Sequence, residues 1–492
     1  MGSSDSSTGQ SGSGGGSSWF ADYFGFDEHG TDLRTELLAG LTTFLTMSYI
    51  VAVNPQVMAQ TTDAEGNVTS PGIALSGYSE PQTIQMIAVV TILASVAAIL
   101  VMAFYANRPF AQAPGLGLNA FFAFTVVGAM GIPWQTALAA VVTEGVLFIV
   151  LTAVGAREYV IGLIPEPVKF SVGTGIGLFL GIIGLEAMGI ITGEAGTIVA
   201  LSSIAESPVA IVSAVGLFLT VALYARGVKG SIVIGIVLTT LAGFALSFAG
   251  IGSGSLSGDF VTEGAFVASE LPQATYDITP LAGAFVSGFQ DVEAFTFALV
   301  VFTFFFVDFF DTAGTLVGVG QAGDFLDEDG ELPDIDKPLM ADAVGTTTGG
   351  MLGTSTVTTY IESATGIEEG GRTGMTALVV AALFLVSLVF VPLAAAIPLY
   401  ASHIALVVVA ILMLRNVVEV KWDDITHAVP AGLTIMVMPF TFSIAYGIAA
   451  GILSYPIVKT AAGEFDDTSP GQWLLAAAFL VYFAVRTSGI VG

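Results

Sequence analysis

Apolar residues run along this chain in long blocks divided by short polar breaks, as in Ile87–Phe104, Thr376–Leu393 and Ile404–Leu414. A run of about 20 apolar residues matches the hydrocarbon thickness of a bilayer. The pattern predicts spans at 35–57, 84–106, 109–130, 134–155, 167–189, 208–226 and 229–250. A polar segment, 251–289, follows, and a second set falls at 293–319, 338–353, 354–371, 374–397, 400–415, 428–458 and 471–488. The expected fold class is an all-α polytopic membrane protein with 14 transmembrane segments, seven plus seven.

The basic residues orient this pattern. With the N-terminus inside, Arg34, Arg108, Arg157, Lys169, Arg226, Lys229, Lys337, Arg372, Arg415, Lys421 and Arg486 fall on the cytoplasmic side and only Lys459 outside. Lys/Arg asymmetry of this kind sets orientation, so both termini are expected in the cytoplasm. Because seven is odd, the halves run in opposite directions. Inverted repeats are a transporter pattern, with the cargo near the midplane where helices are broken. The expected organisation is a Gly/Ser-rich disordered tail at 1–18, a first repeat at 19–250, a polar extracellular linker at 251–289 and a second repeat at 290–492.

Two spans carry non-helical sequence, and both are third in their half. Pro109–Asn119 contains two prolines and paired glycines; Gly353–Glu362 contains a Thr/Val run. Proline breaks a helix and β-branched residues favour extended backbone. At membrane depth such backbone survives only where protein or a cavity satisfies it. Residues 109–118 and 354–359 are therefore expected as extended segments meeting near the centre, each leading into a half-helix.

Polar residues inside the apolar blocks name the candidate chemistry. In Phe302–Gly314, Asp308, Asp311 and Thr312 share one helical face with Thr315. An acid at the bilayer centre costs ~2.5–3.5 kcal/mol on insertion scales, so it marks function by default. Two acids one turn apart in a low-dielectric site do not readily ionise together, which suits a proton site. Tyr360 and Glu362 point the same way if the second break is still extended there. An aromatic plate beside a carboxylate suits a flat heterocycle with N–H donors. Asn119 follows the first break, where a half-helix presents free N–H groups. Glu144 and Asp342 are expected to pair with neighbouring helices, and Arg372 to hold a helix junction by ion pairing.

Composition narrows the class further. The 492 residues are 54% hydrophobic and 11% charged, with 40 Asp+Glu against 12 Lys+Arg. Soluble domains carry about 25% charged residues, so a water-soluble globule is excluded. The net charge of −28 lies mostly in loops; it disfavours nucleic acid and resembles the acidic surfaces of proteins from salt-loving organisms. Cysteine is absent, which excludes disulfides and thiolate metal sites. His29, His403 and His427 lack metal-ligand spacing, and the acidic stretch Asp327–Glu331 lacks the spacing of a calcium loop. No cofactor, no metal and no enzymatic activity are expected.

The stretches Thr35–Met47, Ala113–Phe122, Phe306–Thr315 and Gly353–Ser363, the last running on to Glu368–Gly374, together resemble the nucleobase–cation symporter family with the nucleobase–ascorbate transporter fold. The likeness covers about residues 19–490 and is nearest to the adenine/guanine/hypoxanthine permease branch. It implies a core domain of spans 1–4 and 8–11 and a gate domain of spans 5–7 and 12–14, with alternating access between them. It places the eighth-span acid at Asp308, the tenth-span carboxylate at Glu362, the third-span asparagine at Asn119 and the aromatic at Tyr360. The candidate substrate site is Glu362, Asp308, Asn119, Tyr360, Gly117, Thr312 and Thr359; the proton-coupling residues are Asp308, Asp311 and Glu362. The resemblance implies import of a purine nucleobase by proton symport at the cell membrane, with sodium as the alternative ion and a homodimer through the gate domain. A uracil or xanthine carrier of the same fold is the alternative cargo reading, although Thr312 stands where some uracil carriers have histidine. An anion transporter or channel of similar architecture is the other, and it would need a buried Lys or Arg.

Overall fold

The computed structural model describes residues 19–62, 68–155, 164–194, 197–252, 254–258, 260–262, 265–267, 273–290, 293–327 and 332–487. The expected tail at 1–18 and residues 328–331 of the acidic stretch lie outside the described residues. Polar side chains start many helices by filling the free backbone N–H groups of their first turn. Asp32 accepts from Thr35 N–H at 2.9 Å to open α1 (Leu33–Met58). Ser79 and Gln82 bond reciprocally to open α2 (Glu80–Ala106).

The chain then forms β1 (Gln112–Pro114), α3 (Leu116–Ala129), α4 (Trp134–Ala153), α5 (Glu166–Ala187), α6 (Pro208–Ala225) and α7 (Ser231–Phe248). After the linker come α8 (Ala294–Ala322), α9 (Asp336–Leu352), β2 (Val357–Thr359), α10 (Ser363–Glu368), α11 (Gly374–Ala394), α12 (Leu399–Glu419), α13 (Ile425–Thr441), α14 (Ile444–Ala461) and α15 (Pro470–Thr487). Large apolar side chains face outward, with Phe218 74%, Leu474 73% and Val389 72% exposed. Lipid, not water, is the medium in which such a surface is stable.

Helices α1, α2, α4, α8, α9 and α11 pack as one group; α5 packs with α12, α13 and α14, and the α6–α7 pair leans on α12. Helix α9 is too polar to face lipid, and it lies buried against α2 and α4 with Asp342, Thr346 and Thr347 inside. The linker is not wholly a free loop: Ala284–Phe289 is a short helix packed on α4.

Two expectations are corrected. Residues 109–118 are not all extended, because the strand ends at Pro114, Gly115 caps the next helix and α3 begins at Leu116. Within the expected 354–359, Val357–Thr359 pairs as a strand and residues 354–356 lead into it without helix. Residues 428–458 are not one span. The chain reverses at Phe442, which takes φ 49°, and Ser443 caps α14 through Tyr446 N–H at 3.3 Å. The two helices then pack antiparallel through Gly447 and Gly451. A Cβ on Gly447 would stand 2.2 Å from Met438 Cγ, and one on Gly451 2.0 Å from Thr434 Oγ1. Small residues four apart allow such close helix contact in a membrane.

The reversal returns Lys459 to the end of the bundle that holds Lys421 and Asp424. The Asp424 carboxyl is held below the usual range by the Thr426 hydroxyl and backbone N–H, with Lys459 adding to the effect. Lys459, expected on the opposite side from Lys421, thus lies at the same end of the bundle as Lys421. The placement of both termini on one side rested on a single crossing at 428–458 and no longer follows.

Candidate functional site

The site is built where the two broken segments cross. Strands β1 and β2 pair antiparallel, with Gln112 opposite Thr359, Ala113 opposite Thr358 and Pro114 opposite Val357. The ladder extends one bond at each end, from Tyr360 N–H to Ala111 O at 2.9 Å and from Gly115 N–H to Thr356 O at 3.0 Å. Gly115 is required here, since a Cβ would stand 2.6 Å from Thr358 Cγ2. Each strand satisfies backbone groups that the other leaves open, which is how non-helical chain is tolerated inside a membrane. Because the strands are antiparallel, the chain leaves for α3 and for α10 from opposite ends of the crossing.

On one side of the crossing lie Tyr360, Glu362, Asp311 and Tyr49. The Tyr360 hydroxyl donates to Pro114 O at 2.5 Å, and the Tyr49 hydroxyl donates to Glu362 Oε1 at 2.7 Å. Asp311 and Glu362 act on each other, and both act on Tyr360. The expected alternation of Tyr360 and Glu362 along a strand does not hold, because β2 ends at Thr359 and residues 361–362 form a turn. The turn, not the pleat, brings Glu362 back beside Tyr360.

Asn119 is wholly buried on the first turns of α3. Its Oδ1 accepts from Ser355 Oγ, while its Nδ2 has no hydrogen-bond partner. A buried amide donor left open is a binding group in waiting, because an unsatisfied donor costs about 1–3 kcal/mol. Gly117 lies on the same turn against α5, where a Cβ would stand 2.7 Å from Ile176 Cγ2. It marks one place where the two groups of helices touch.

A second set of polar groups lies behind the strands. Asp342 Oδ1 accepts from Thr359 Oγ1 at 2.8 Å and from Gln112 Nε2. Asp308 Oδ1 accepts from Thr312 Oγ1 at 3.4 Å, and Asp308 meets Glu144 of α4. Asp308 and Asp311, expected to work side by side, therefore face different partners: Glu144 for the first, Glu362 for the second. Of the expected substrate residues, the crossing brings Tyr360, Glu362 and Asn119 to its ends. Thr359 and Thr312 serve the acids behind it.

Phenylalanines wall in the acid helix. Phe305 and Phe309 pack edge-on to Phe148 at 5.5 and 6.1 Å, and Phe302 stacks on Phe306 at 6.1 Å. Arg372 holds its junction through the Ile367 and Gly371 carbonyls at 2.7 and 2.8 Å, and it shares the Phe325 ring with Arg108. Among the described residues these are carbonyl and ring contacts, where ion pairing was expected.

Tyr49, Ser355 and Gln112 escaped sequence reasoning. Tyr49 sits at a turn inside α1, and an internal turn with a polar aromatic was its only signal.

A helical membrane protein with paired strands at the centre and acids around them is a transporter by architecture. Residues 34–450 match the permease family, and the chain belongs to that family. It is 43% identical to a putative permease of Methanocaldococcus jannaschii, over 94% of this chain and 97% of that one. It is 38% identical to the adenine permease AdeP of Escherichia coli, over 93% and 94%. It is 39% identical to the guanine/hypoxanthine permease PbuO of Bacillus subtilis, over 93% and 99%. The fold is shared with the transmembrane domain of the cyanobacterial bicarbonate transporter BicA, at TM-score 0.55 and 16% identity over 85% of this chain and 97% of that one. SLC26A9 is similar at TM-score 0.59 and 12% identity, over 91% and 67%. The protein is a multi-pass membrane permease, not an enzyme.

Proposed function

We propose that this permease imports purine nucleobases across the cell membrane by proton symport. The observation that carries the reading is the strand crossing itself. It sets an aromatic ring, a carboxylate and an open amide donor at the ends of two half-helices, in a chain similar throughout its length to proteins named adenine and guanine/hypoxanthine permeases. A purine stacks on Tyr360, its ring N–H donors go to Glu362, and Asn119 Nδ2 donates to an acceptor on the base edge. Asp308 carries the proton, with Asp311 near the base. The group of α1–α4 and α8–α11 forms the core, and α5–α7 with the later helices form the gate. Access alternates as one group moves against the other, with Gly117 at the contact.

The fold neighbours raise an anion carrier as a rival. A site for anions needs net positive charge, yet among the described residues the groups around Glu144, Asp308, Asp311, Asp342 and Glu362 are other acids, hydroxyls and amides, with no Lys or Arg. Uptake of labelled hypoxanthine, adenine, guanine, xanthine and uracil in a transport-null host tests the cargo. Accumulation of hypoxanthine, adenine or guanine that unlabelled purines compete away supports it. Uptake of uracil or xanthine alone, or of none of the five, overturns it.

A further inference from the structure

The proton-symport reading gives no task to Glu144, a wholly buried acid. Glu144 lies in the middle of α4, and its carboxyl meets that of Asp308 across the α4–α8 contact within hydrogen-bonding reach. Each carboxyl has one occupied oxygen. Glu144 Oε2 accepts from Thr356 Oγ1 at 3.5 Å, and Asp308 Oδ1 accepts from Thr312 Oγ1 at 3.4 Å. The remaining oxygens, Glu144 Oε1 and Asp308 Oδ2, are buried and have no hydrogen-bond donor. Gln112 Oε1, on the neighbouring strand, is buried and open as well.

Oxygens of two bare carboxylates in contact can only repel. They satisfy each other when one carries a proton and donates it to the other. Among the described residues the surroundings supply no cation to answer the charge. Around the pair stand Asp342 on α9, Asp311 on α8 and the hydroxyls of Thr356 and Thr312; Glu362 and the tyrosines lie beyond Asp311. Asp342 differs from the pair in degree, since Thr359 and Gln112 both donate to its Oδ1, although its Oδ2 is buried and open like theirs. Two donors answer its charge, whereas Glu144 and Asp308 have one long hydroxyl contact each and then only each other.

We propose that Glu144 and Asp308 form one proton-sharing carboxyl pair, and that this pair, not Asp308 alone, takes up the coupling proton. The proposal rests on the proton-symport reading. Loading adds one proton to the doubly charged pair and closes an O–H···O bond between the two side chains; release inside restores the two charges. The pair is tied to the cargo site through the backbone. Thr356 bonds Glu144 by its hydroxyl and Gly115 of the first broken segment by its carbonyl. A base that shifts the strand crossing therefore alters the grip on Glu144.

The test compares wild type, Glu144→Gln and Asp308→Asn in proteoliposomes. Three readouts are taken: hypoxanthine binding, hypoxanthine accumulation driven by an imposed pH gradient, and infrared difference spectra in the protonated-carboxyl C=O region. The pair predicts that Glu144→Gln still binds hypoxanthine, loses accumulation, and lacks the same C=O band that Asp308→Asn lacks. If Glu144→Gln accumulates hypoxanthine and keeps the band while Asp308→Asn does neither, the pair is overturned and proton symport by Asp308 stands. If wild-type accumulation ignores the pH gradient and a protonophore, the symport reading itself fails. Should Glu144→Gln not fold, Glu144→Asp serves, because it keeps the acid but pulls it back by one methylene. The pair then predicts a displaced C=O band and a displaced pH midpoint of uptake, and wild-type values for both overturn it.

Discussion

The Tyr360 hydroxyl reaches back across the strand crossing and donates to the Pro114 carbonyl at 2.5 Å. A proline carbonyl in the first broken segment thus fixes the ring that stands beside Glu362 in the second. This bond joins the two halves of the chain next to the groups proposed to read the cargo, as do Tyr49–Glu362 and Ser355–Asn119.

Tyr360→Ala is expected to weaken purine binding by about 1–3 kcal/mol, the scale of base stacking on aromatic side chains. Tyr360→Phe keeps the ring and should retain most of the binding, while the lost bond to Pro114 costs ~0.5–1.5 kcal/mol of stability. Equilibrium binding and thermal unfolding of the purified variants separate the two effects. Wild-type binding in both variants would remove Tyr360 from the site.

Asp308 and Glu362 should fail in different ways. Asp308→Asn mimics the protonated acid and is expected to keep measurable purine binding, lose proton-driven accumulation and flatten the pH dependence of binding. Glu362→Gln should lose affinity, because an amide nitrogen can replace the acceptor that faces the base and Tyr49 still occupies the other oxygen. Binding across the pH range on purified variants checks this. An Asp308→Asn protein that still concentrates substrate, or a Glu362→Gln protein that binds normally, contradicts the division.

Gly117→Val should slow transport more than it weakens binding. Any Cβ there stands 2.7 Å from Ile176 Cγ2, so α3 and α5 must move apart. Overpacking of this kind costs about 1–3 kcal/mol, and it falls on the surface that moves in alternating access. Equal losses in initial uptake rate and in binding affinity would contradict that placement.

The reversal at Phe442 makes a prediction about sidedness. The chain has no cysteine, so single cysteines can be introduced on a clean background. Cysteines replacing Lys421 and Glu464 should react with a membrane-impermeant thiol reagent from the same side. Reaction from opposite sides would restore residues 428–458 as a single crossing.

Much of this was legible because the sequence breaks its own pattern there. Proline and paired glycines in 109–119, and threonines with valine in 353–362, cannot continue an apolar helix, and both became strands flanked by helix. The acids of Phe302–Gly314 stood out against their phenylalanines for the same reason. What stayed hidden depends on neighbours far along the chain. Helical spacing put Asp308 and Asp311 on one face, but α4 packing brought Glu144 to the first and the turn after β2 brought Glu362 to the second. The α13–α14 hairpin was hidden because its turn, Phe440–Ser443, is nearly as apolar as the helices it joins. Hydropathy alone reads straight through it, and only Pro439 and the Gly447/Gly451 pair hinted at the fold-back.

The central claim is that a purine and a proton move together, and one measurement meets it directly. Purified protein in proteoliposomes is given labelled hypoxanthine outside and a pH gradient, acid outside, with no other ion gradient. The account predicts accumulation above the external concentration that collapses with a protonophore and is competed by adenine or guanine. Hypoxanthine that only equilibrates, or accumulation that requires a sodium gradient and ignores the proton gradient, would contradict it.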